Sequence, residues 1–200
     1  MNILSIDLTV TPGTLSLLAS AKMQTAFLHD QRSQGTEIIP TIQALLIQAD
    51  RKIRDLTEIW VVLGPGSFTG IRVAVATTLG LAAPHGIPVC GITAFSVMAC
   101  KATREGASFP FCTAQRSHQG DYFCQYWRHH GDHDTPYQGL LPADVPVYLR
   151  TDTTASSQEL AVTSLDVLLV RDVLYAENHQ LSELKPFYIR APDVTRSSTV

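Results

Sequence analysis

The sequence predicts an α/β protein in which helices cover a mixed β-sheet, and three observations support this. Near the N-terminus, three short apolar segments separated by turn residues predict an antiparallel meander. After the meander, helical and strand patterns alternate, which predicts crossovers to parallel strands. The 200 residues are 45% hydrophobic and 16% charged, so the chain can bury a sizeable core and is not of a disordered class.

The meander is predicted to contain strands over 3–7, 15–19 and 25–29, with a Thr-Pro-Gly-Thr turn after the first strand. The first strand ends in Asp7, and Thr9 follows close behind it. A carboxylate and a hydroxyl at a strand end can bind a ligand. More often, such groups satisfy nearby backbone amides.

The clearest helix signal covers 36–49. Apolar residues recur there at the i, i+3, i+4, i+7 spacing of a helix that buries one face. Thr36 is predicted to cap this helix, and Pro40 is tolerated because it lies near the helix start. The predicted stripe consists of Ile38, Ile39, Ile42, Leu45, Leu46 and Ala49.

A glycine-rich turn joins a predicted strand at 59–63 to a predicted helix at 67–83. Glycines permit backbone geometry that is closed to other residues, and Ser67 is suited to cap the helix. Such turns can bind phosphate, but the P-loop ending and the dinucleotide glycine spacing are both missing. The turn therefore predicts either an anion site or tight strand-to-helix packing. Its residues are Gly64, Pro65, Gly66, Ser67, Phe68, Thr69, Gly70, Ile71 and Arg72.

The helix at 67–83 carries small residues four positions apart. Gly70, Ala74 and Thr78 share one face, and Thr77 and Leu81 lie beside it. Small residues at this spacing let another helix approach closely. The face is therefore either core packing or a surface for a partner.

The remainder of the chain predicts shorter elements and a boundary between two lobes, 1–107 and 108–200. A strand at 89–92 precedes a helix at 94–104, and Gly106 is suited to end that helix. Later elements are predicted as strands over 109–114, 121–128 and 145–149, a helix within 156–174 and a loose tail over 191–200.

Composition narrows the function classes. A net charge of −3 and a pI of about 6.1 argue against a self-sufficient nucleic-acid binder. The four cysteines lack a Cys-x-x-Cys spacing, so we expect reduced thiols and no zinc site. His and Asp residues at 129–134 offer metal ligands, but adjacent strand residues point to opposite faces, so no metal is expected. With neither a positively charged leader nor a membrane-length apolar run, we expect a cytoplasmic protein.

Residues 64–72, Gly-Pro-Gly-Ser-Phe-Thr-Gly-Ile-Arg, resemble the signature of the TsaB (YeaZ) family, which comprises glycoprotease-like proteins of tRNA threonylcarbamoyladenosine biosynthesis. The segment 182–190 resembles a segment near that family's C-terminus. The resemblance implies an actin-like, sugar-kinase-type (ASKHA) fold. The lobe at 1–107 would be the actin-like lobe, and the lobe at 108–200 would be abbreviated.

The actin, sugar-kinase and chaperone-ATPase superfamily also implies roles for polar residues at the first strand and hairpin. Its first-strand carboxylate helps to hold magnesium and its hairpin contacts phosphate, so Asp7 and Thr9 would form a vestigial nucleotide site. Gly120 and Asp121 match a family turn, but Arg116 stands where members carry an Asp. This departure weakens the case for a second metal-binding carboxylate.

The resemblance implies a non-catalytic protein that binds and activates a TsaD-like subunit, which modifies the adenosine next to the tRNA anticodon. A TsaE-like ATPase would join the pair, tRNA would be met only through the complex, and the chain alone could form a homodimer. No cofactor is implied, although weak nucleotide binding stays open. The partner surface is expected on the helices at 36–49 and 67–83. The residues expected in this surface or directly under it are Ile39, Ala74, Thr77, Thr78 and Leu81.

The alternative is an ATPase or kinase-like enzyme that uses Asp7, Thr9 and the turn from Gly64 to Gly70. Such an enzyme would bind magnesium and ATP alone, and Asp7→Ala would abolish turnover. A metalloprotease follows only from the glycoprotease name, and the sequence carries no zincin-like metal motif.

Overall fold

A computed structural model describes residues 1–117, 120–129, 132–150, 159–160 and 166–167. The first of its two sheets has the strand order β3-β2-β1-β4-β5. The first three strands pair antiparallel, whereas β1, β4 and β5 run parallel, so the predicted mixed sheet is confirmed. The strands are β1 (Asn2–Asp7), β2 (Gly13–Ala19), β3 (Lys22–Leu28), β4 (Glu58–Val62) and β5 (Val89–Ile92).

In the described part of the chain, three α-helices cover the two faces of this sheet: α1 (Gln34–Gln48), α2 (Phe68–Ala82) and α3 (Ala94–Arg104). Helices α1 and α2 pack on the face that carries Leu4 and Ile6, and α3 packs on the face that carries Ile3 and Trp60. Short 3-10 helices follow α1 and α2, at Ile53–Asp55 and Ala83–His85. None of the described helices combines the length and apolar content needed to cross a bilayer.

The predicted cap of α1 at Thr36 is wrong. The helix begins at Gln34, and Thr36 lies in its first turn, where its hydroxyl donates to the Ser33 carbonyl (2.9 Å). That same carbonyl accepts the backbone amides of Thr36 and Glu37, both at 2.9 Å. Backbone bonds at Ser33 therefore start the helix two residues before the predicted position.

The third strand also begins earlier than predicted, at Lys22 instead of residue 25. Ser20 and Ala21 form the two-residue turn before it, with φ of +50° and +61°. Both central residues of such a hairpin turn need positive φ, and the usual signal for it is Asn-Gly or Asp-Gly. Ser-Ala lacks that signal, so the turn cannot be recognised from the sequence.

The second sheet has the order β11-β10-β6-β7-β8, and β9 also pairs with β7. The predicted hairpin is the antiparallel pair β6–β7. Strand β10 runs parallel to β6, and β11 runs parallel to β10. Within the helix predicted at 156–174, residues 159–160 form a strand instead and residues 166–167 are helical. The other features predicted over 151–200 lie outside the described residues. The strands are β6 (Phe111–Arg116), β7 (Tyr122–His129), β8 (Asp132–His133), β9 (Tyr137–Gly139), β10 (Val147–Arg150) and β11 (Glu159–Leu160).

Helix α3 lies between the two sheets. One continuous buried cluster joins Trp60 of the first sheet, Phe95 of α3, and Phe111 and Trp127 of the second sheet. The predicted strand at 89–92 and helix at 94–104 match β5 and α3, and Gly106 follows α3 with φ +97°. The predicted lobe boundary falls in the segment between α3 and β6, and the division into two lobes stays a prediction.

All four cysteines are buried, and none of them forms a disulfide. Cys112 and Cys124 lie on the hairpin β6–β7 and share a hydrogen bond. That hydrogen bond, together with burial, raises the pKa of the Cys112 thiol, and the same bond lowers the pKa of Cys124. Among the described residues, no group of three or more His, Cys, Asp or Glu side chains could hold a metal ion.

Candidate functional site

The glycine-rich turn packs directly against the loop between β1 and β2. A Cβ at Gly66 would lie 2.1 Å from the Thr9 carbonyl oxygen, and Gly66 has φ +150°. A Cβ at Gly70 would lie 1.9 Å from the carbonyl oxygen of Leu8. The Ser67 amide donates to the Thr9 carbonyl at 2.7 Å. These glycines are therefore required by contacts between two backbone segments.

Ser67 caps α2 as predicted. Its hydroxyl accepts the Gly70 amide (3.1 Å) and the side-chain amide of Gln31 (2.7 Å). The Gly64 carbonyl accepts the amide of Ala94 at 2.8 Å. Several polar groups of the turn are thus used inside the chain, which favours the tight-packing interpretation over the anion site.

The other residues of the turn differ in exposure. Pro65 is buried, and Thr69 is exposed. Arg72 is also exposed, and its guanidinium lies over the Phe68 ring, 3.8 Å from the centroid. This cation–π contact holds the Arg72 side chain along the first turn of α2.

Asp7 and Thr9, predicted as a vestigial nucleotide site, lie together in a buried network. The Asp7 Oδ1 atom accepts the Thr9 amide (2.9 Å) and the Thr9 hydroxyl (2.5 Å). Its Oδ2 atom accepts from the guanidinium of Arg150 on β10. Arg150 also donates to the Thr9 hydroxyl (2.7 Å) and to Oε1 of Gln115 (3.4 Å). The carboxylate therefore has neighbours within the chain at both oxygens.

Sequence reasoning missed Arg150 and Gln115. The predicted strand at 145–149 stopped one residue before Arg150, which is the last residue of β10. Gln115 pairs in register with Arg150 across β6 and β10. An alternating apolar pattern that ends in arginine is a weak local signal, and it cannot name a partner 143 residues away.

A cavity of about 190 Å³ lies beside this network. It opens between the first hairpin, the glycine-rich turn and the end of β6, where Arg116 is exposed. Its volume is below the roughly 300–1,000 Å³ that is usual for small-molecule pockets. The polar lining residues are Thr9, Thr11, Gln31, Ser67, Gln115, Arg116 and Ser117.

Asp121, the second candidate carboxylate, closes the turn between β6 and β7. Its Oδ1 atom accepts the Ser117 hydroxyl, and its Oδ2 atom accepts the side-chain amide of Gln138 at 2.7 Å. The Ser117 amide also donates to the Asp121 carbonyl at 2.8 Å. These bonds give Asp121 a structural role in the hairpin.

A magnesium nucleotide, which the superfamily implies, does not fit these residues. Mg²⁺ requires carboxylate or other oxygen ligands in near-octahedral geometry. Asp7 already accepts bonds at both oxygens, one of them from a cation, and Asp121 also accepts bonds at both oxygens. Arg116 is exposed and lines the cavity, so it adds positive charge there.

The residues expected at the partner surface divide into two groups. Ala74 and Thr78 are fully buried on the inward side of α2, so they cannot contact a partner directly. Ile39 is 38% exposed, and Thr77 and Leu81 are half-buried. The partner role of these three stays a prediction.

The most exposed apolar residues of α1 and α2 were not among those expected at the partner surface. Ile47 on α1 is 77% exposed and Leu79 on α2 is 48% exposed. Gly80 is next to Leu79, and among the described residues no atom lies within 4 Å of a Cβ built there. Because α2 is apolar on nearly all sides, its sequence does not show which side faces solvent.

A family described as "TsaD: tRNA N6-adenosine threonylcarbamoyltransferase" matches residues 12–118. The tRNA threonylcarbamoyladenosine biosynthesis protein TsaB of Escherichia coli (strain K12) is 27% identical over 129 residues, which cover 64% of this chain and 56% of that protein. TsaB of Bacillus subtilis (strain 168) is 27% identical over 146 residues, covering 72% and 64%. The chain thus spans little more than half to under two-thirds of these relatives.

Two solved structures from Pseudomonas aeruginosa share the fold. One is described as an uncharacterized protein with similarity to peptidase YEAZ, the other as YeaZ. They superpose with TM-scores of 0.73 and 0.72 at 18% identity, and each comparison covers 94% of this chain and 99% of the other. The fold is the actin-like, ASKHA type that the family resemblance implied. The match to the family described as TsaD covers more than half of the chain, and the relatives are named TsaB. The chain therefore belongs to the TsaB (YeaZ) family within that broader TsaD-like family.

Proposed function

We propose that this chain is a non-catalytic subunit in tRNA threonylcarbamoyladenosine biosynthesis that binds and activates a TsaD-like subunit. The names of its TsaB relatives support the pathway. The observation that carries the partner role is the exposed, charge-poor face of α1 and α2. We name this face the α1–α2 surface and define it by Ile39, Pro40, Ile47, Ala76, Leu79 and Gly80.

The α1–α2 surface has the composition of a docking site. The two helices contain 15 residues each, and Glu37 and Arg72 are the only charged ones. Ile47 and Leu79 expose large apolar side chains to water. Covering such a side chain completely contributes about 1.5–3 kcal/mol, and contiguous exposed apolar patches mark interaction sites.

Gly80 supports the same proposal. Glycine inside a helix costs about 1 kcal/mol relative to alanine. Gly70 has an internal reason to be glycine, because a Cβ there would contact the β1–β2 loop, whereas a Cβ at Gly80 meets nothing within 4 Å among the described residues. A glycine at an exposed helix position allows a second helix to approach closely.

A subunit of the same fold is the partner that suits this surface. The family described as TsaD matches residues 12–118 of this chain, a region that contains both α1 and α2. A paralogous subunit can therefore present a corresponding helix pair and build a pseudo-symmetric helix bundle. A second copy of this chain would meet the same requirement, so homodimerisation is an outcome that the test must separate.

The contacts of Asp7 and of the glycine-rich turn support a non-catalytic role. The ATPase or kinase-like alternative needs Asp7 free for magnesium and the glycine turn free for phosphate. In the structure, Arg150 and Thr9 bind the Asp7 carboxylate, and the glycines contact the first hairpin. In this proposal a TsaE-like ATPase joins the pair, and tRNA meets the complex through the other subunits, because the net charge of −3 provides no basic surplus.

The test is co-purification of the chain with the TsaD-like protein of its own organism. We expect wild type to form a complex and Leu79→Arg to weaken it at least tenfold, since truncating or charging a central interface residue costs roughly 2 kcal/mol or more. Met23→Arg is the matched control, because Met23 is 45% exposed and pairs across β2–β3 with Leu18, which packs on the sheet face that carries α3.

Equal binding by wild type and Leu79→Arg would contradict the proposed surface. Sedimentation of the chain alone, with and without the TsaD-like protein, separates a homodimer from the mixed complex. ATP hydrolysis by the isolated chain that is lost in Asp7→Ala would favour the enzyme instead.

A further inference from the structure

We infer that Arg150 replaces a metal ion as the counter-charge of Asp7 and thereby fixes the second sheet against the first. The two side chains come from β1 and β10 and are 1% and 0% exposed, respectively. A buried carboxylate without a counter-charge is strongly unfavourable. The guanidinium supplies that charge from within the chain.

The contacts of Arg150 join three separate parts of the molecule. It binds Asp7 at the end of β1, Thr9 in the following loop and Gln115 on β6. The Thr9 hydroxyl both accepts from Arg150 and donates to Asp7, and the Thr9 carbonyl accepts the amide of Ser67. The ion pair therefore connects the second sheet to the first hairpin and to the start of α2.

This arrangement has a consequence for cations. While Arg150 is in place, Asp7 is already neutralised, and a divalent cation gains little by displacing a buried guanidinium with several hydrogen bonds. Once the guanidinium is removed, Asp7 becomes a buried anion beside an open cavity. A small oxygen-seeking cation such as Mg²⁺ can then supply the missing charge.

The experiment is thermal denaturation of the full chain and of Arg150→Met, each in MgCl₂ and in NaCl of equal ionic strength. Methionine removes the charge and keeps part of the side-chain volume. We expect Arg150→Met to melt roughly 10 °C below wild type, because breaking a buried ion pair is strongly destabilising. MgCl₂ should recover several degrees in the variant and leave wild type unchanged.

Arg128→Met is the matched control, because Arg128 and Asp134 form an ion pair that is about half exposed, at 48% and 53%. Exposed pairs contribute little, so this variant should melt within a few degrees of wild type and show no response to MgCl₂.

The double variant Asp7→Asn/Arg150→Met keeps the test informative if the single variant does not fold. Removing both charges should restore stability above that of Arg150→Met, because no uncompensated carboxylate remains. A double variant that is no more stable than Arg150→Met would overturn the inference. Wild type that is stabilised by MgCl₂, with loss of that response in Asp7→Asn, would overturn it as well. Both readouts are independent of partner binding.

Discussion

At the residue scale, the same amino acid occurs in α2 for two different reasons. Gly70 lies where the helix start touches the Leu8 carbonyl, and a Cβ there would come within 1.9 Å of that oxygen. Gly80 lies ten residues later on an exposed part of the helix. The environment, and not the residue type, decides what each glycine contributes.

Alanine substitution should therefore have opposite effects at the two positions. We expect Gly70→Ala to destabilise the fold by about 2–3 kcal/mol, because the contact is with backbone that cannot rotate away. Gly80→Ala should stabilise the isolated chain by about 1 kcal/mol, since it removes the helix cost of glycine. Urea unfolding of the two variants beside wild type measures both values. Effects of the same sign at the two positions would refute this account.

At the element scale, the two serines that precede α1 and α2 show that an N-cap depends on contacts. Ser67 accepts the Gly70 amide, as its place in the sequence predicted. Ser33 precedes α1 without capping it through its side chain, and its hydroxyl donates to the Asp30 carbonyl instead (3.2 Å). A helix start is visible in sequence, but its hydrogen bonds are not.

Removing each hydroxyl should separate the two cases. We expect Ser67→Ala to cost about 1 kcal/mol or slightly more, because the variant loses the cap and the bond from Gln31. Ser33→Ala, the control, should stay within roughly 0.5 kcal/mol of wild type. Chemical denaturation monitored by far-UV circular dichroism gives both values, and a larger loss in Ser33→Ala would argue against the assigned cap.

At the scale of the whole molecule, a single core connects the two sheets. Phe95 of α3 is fully buried in the cluster that contains Trp60 from one sheet and Phe111 and Trp127 from the other. The Arg150–Asp7 ion pair adds a polar connection between the same sheets. Neither sheet can then lose its packing without affecting the other.

We therefore expect one cooperative unfolding transition, with equal calorimetric and van't Hoff enthalpies. Phe95→Ala should lower the free energy of unfolding by about 3–5 kcal/mol and shift the whole transition without splitting it. Phe27→Ala is the control, because Phe27 is 50% exposed and should change stability much less. Two resolved transitions in scanning calorimetry would show that the lobes unfold independently.

The sequence by itself determined the mixed sheet, the order of its elements and the family signature. These features are local: apolar spacing identifies strands and helices, and the turn from Gly64 to Arg72 combines residue types that rarely occur together. The exact match at β5 and α3 has the same origin, since a capping threonine and a terminal glycine bracket α3. The hairpin turn at Ser20 and Ala21 was missed because its residues lack the usual composition.

The tertiary structure alone decided which faces are exposed and which distant groups meet. Ala74 and Leu81 both lie on an apolar helix, and only packing against the sheet shows that Ala74 is inside. The sequence predicts Asp7 as part of a vestigial nucleotide site, but the cation beside it comes from Arg150, 143 residues later. Local patterns cannot report such a pairing, because it arises only when two sheets fold against each other and a buried charge requires an opposite one.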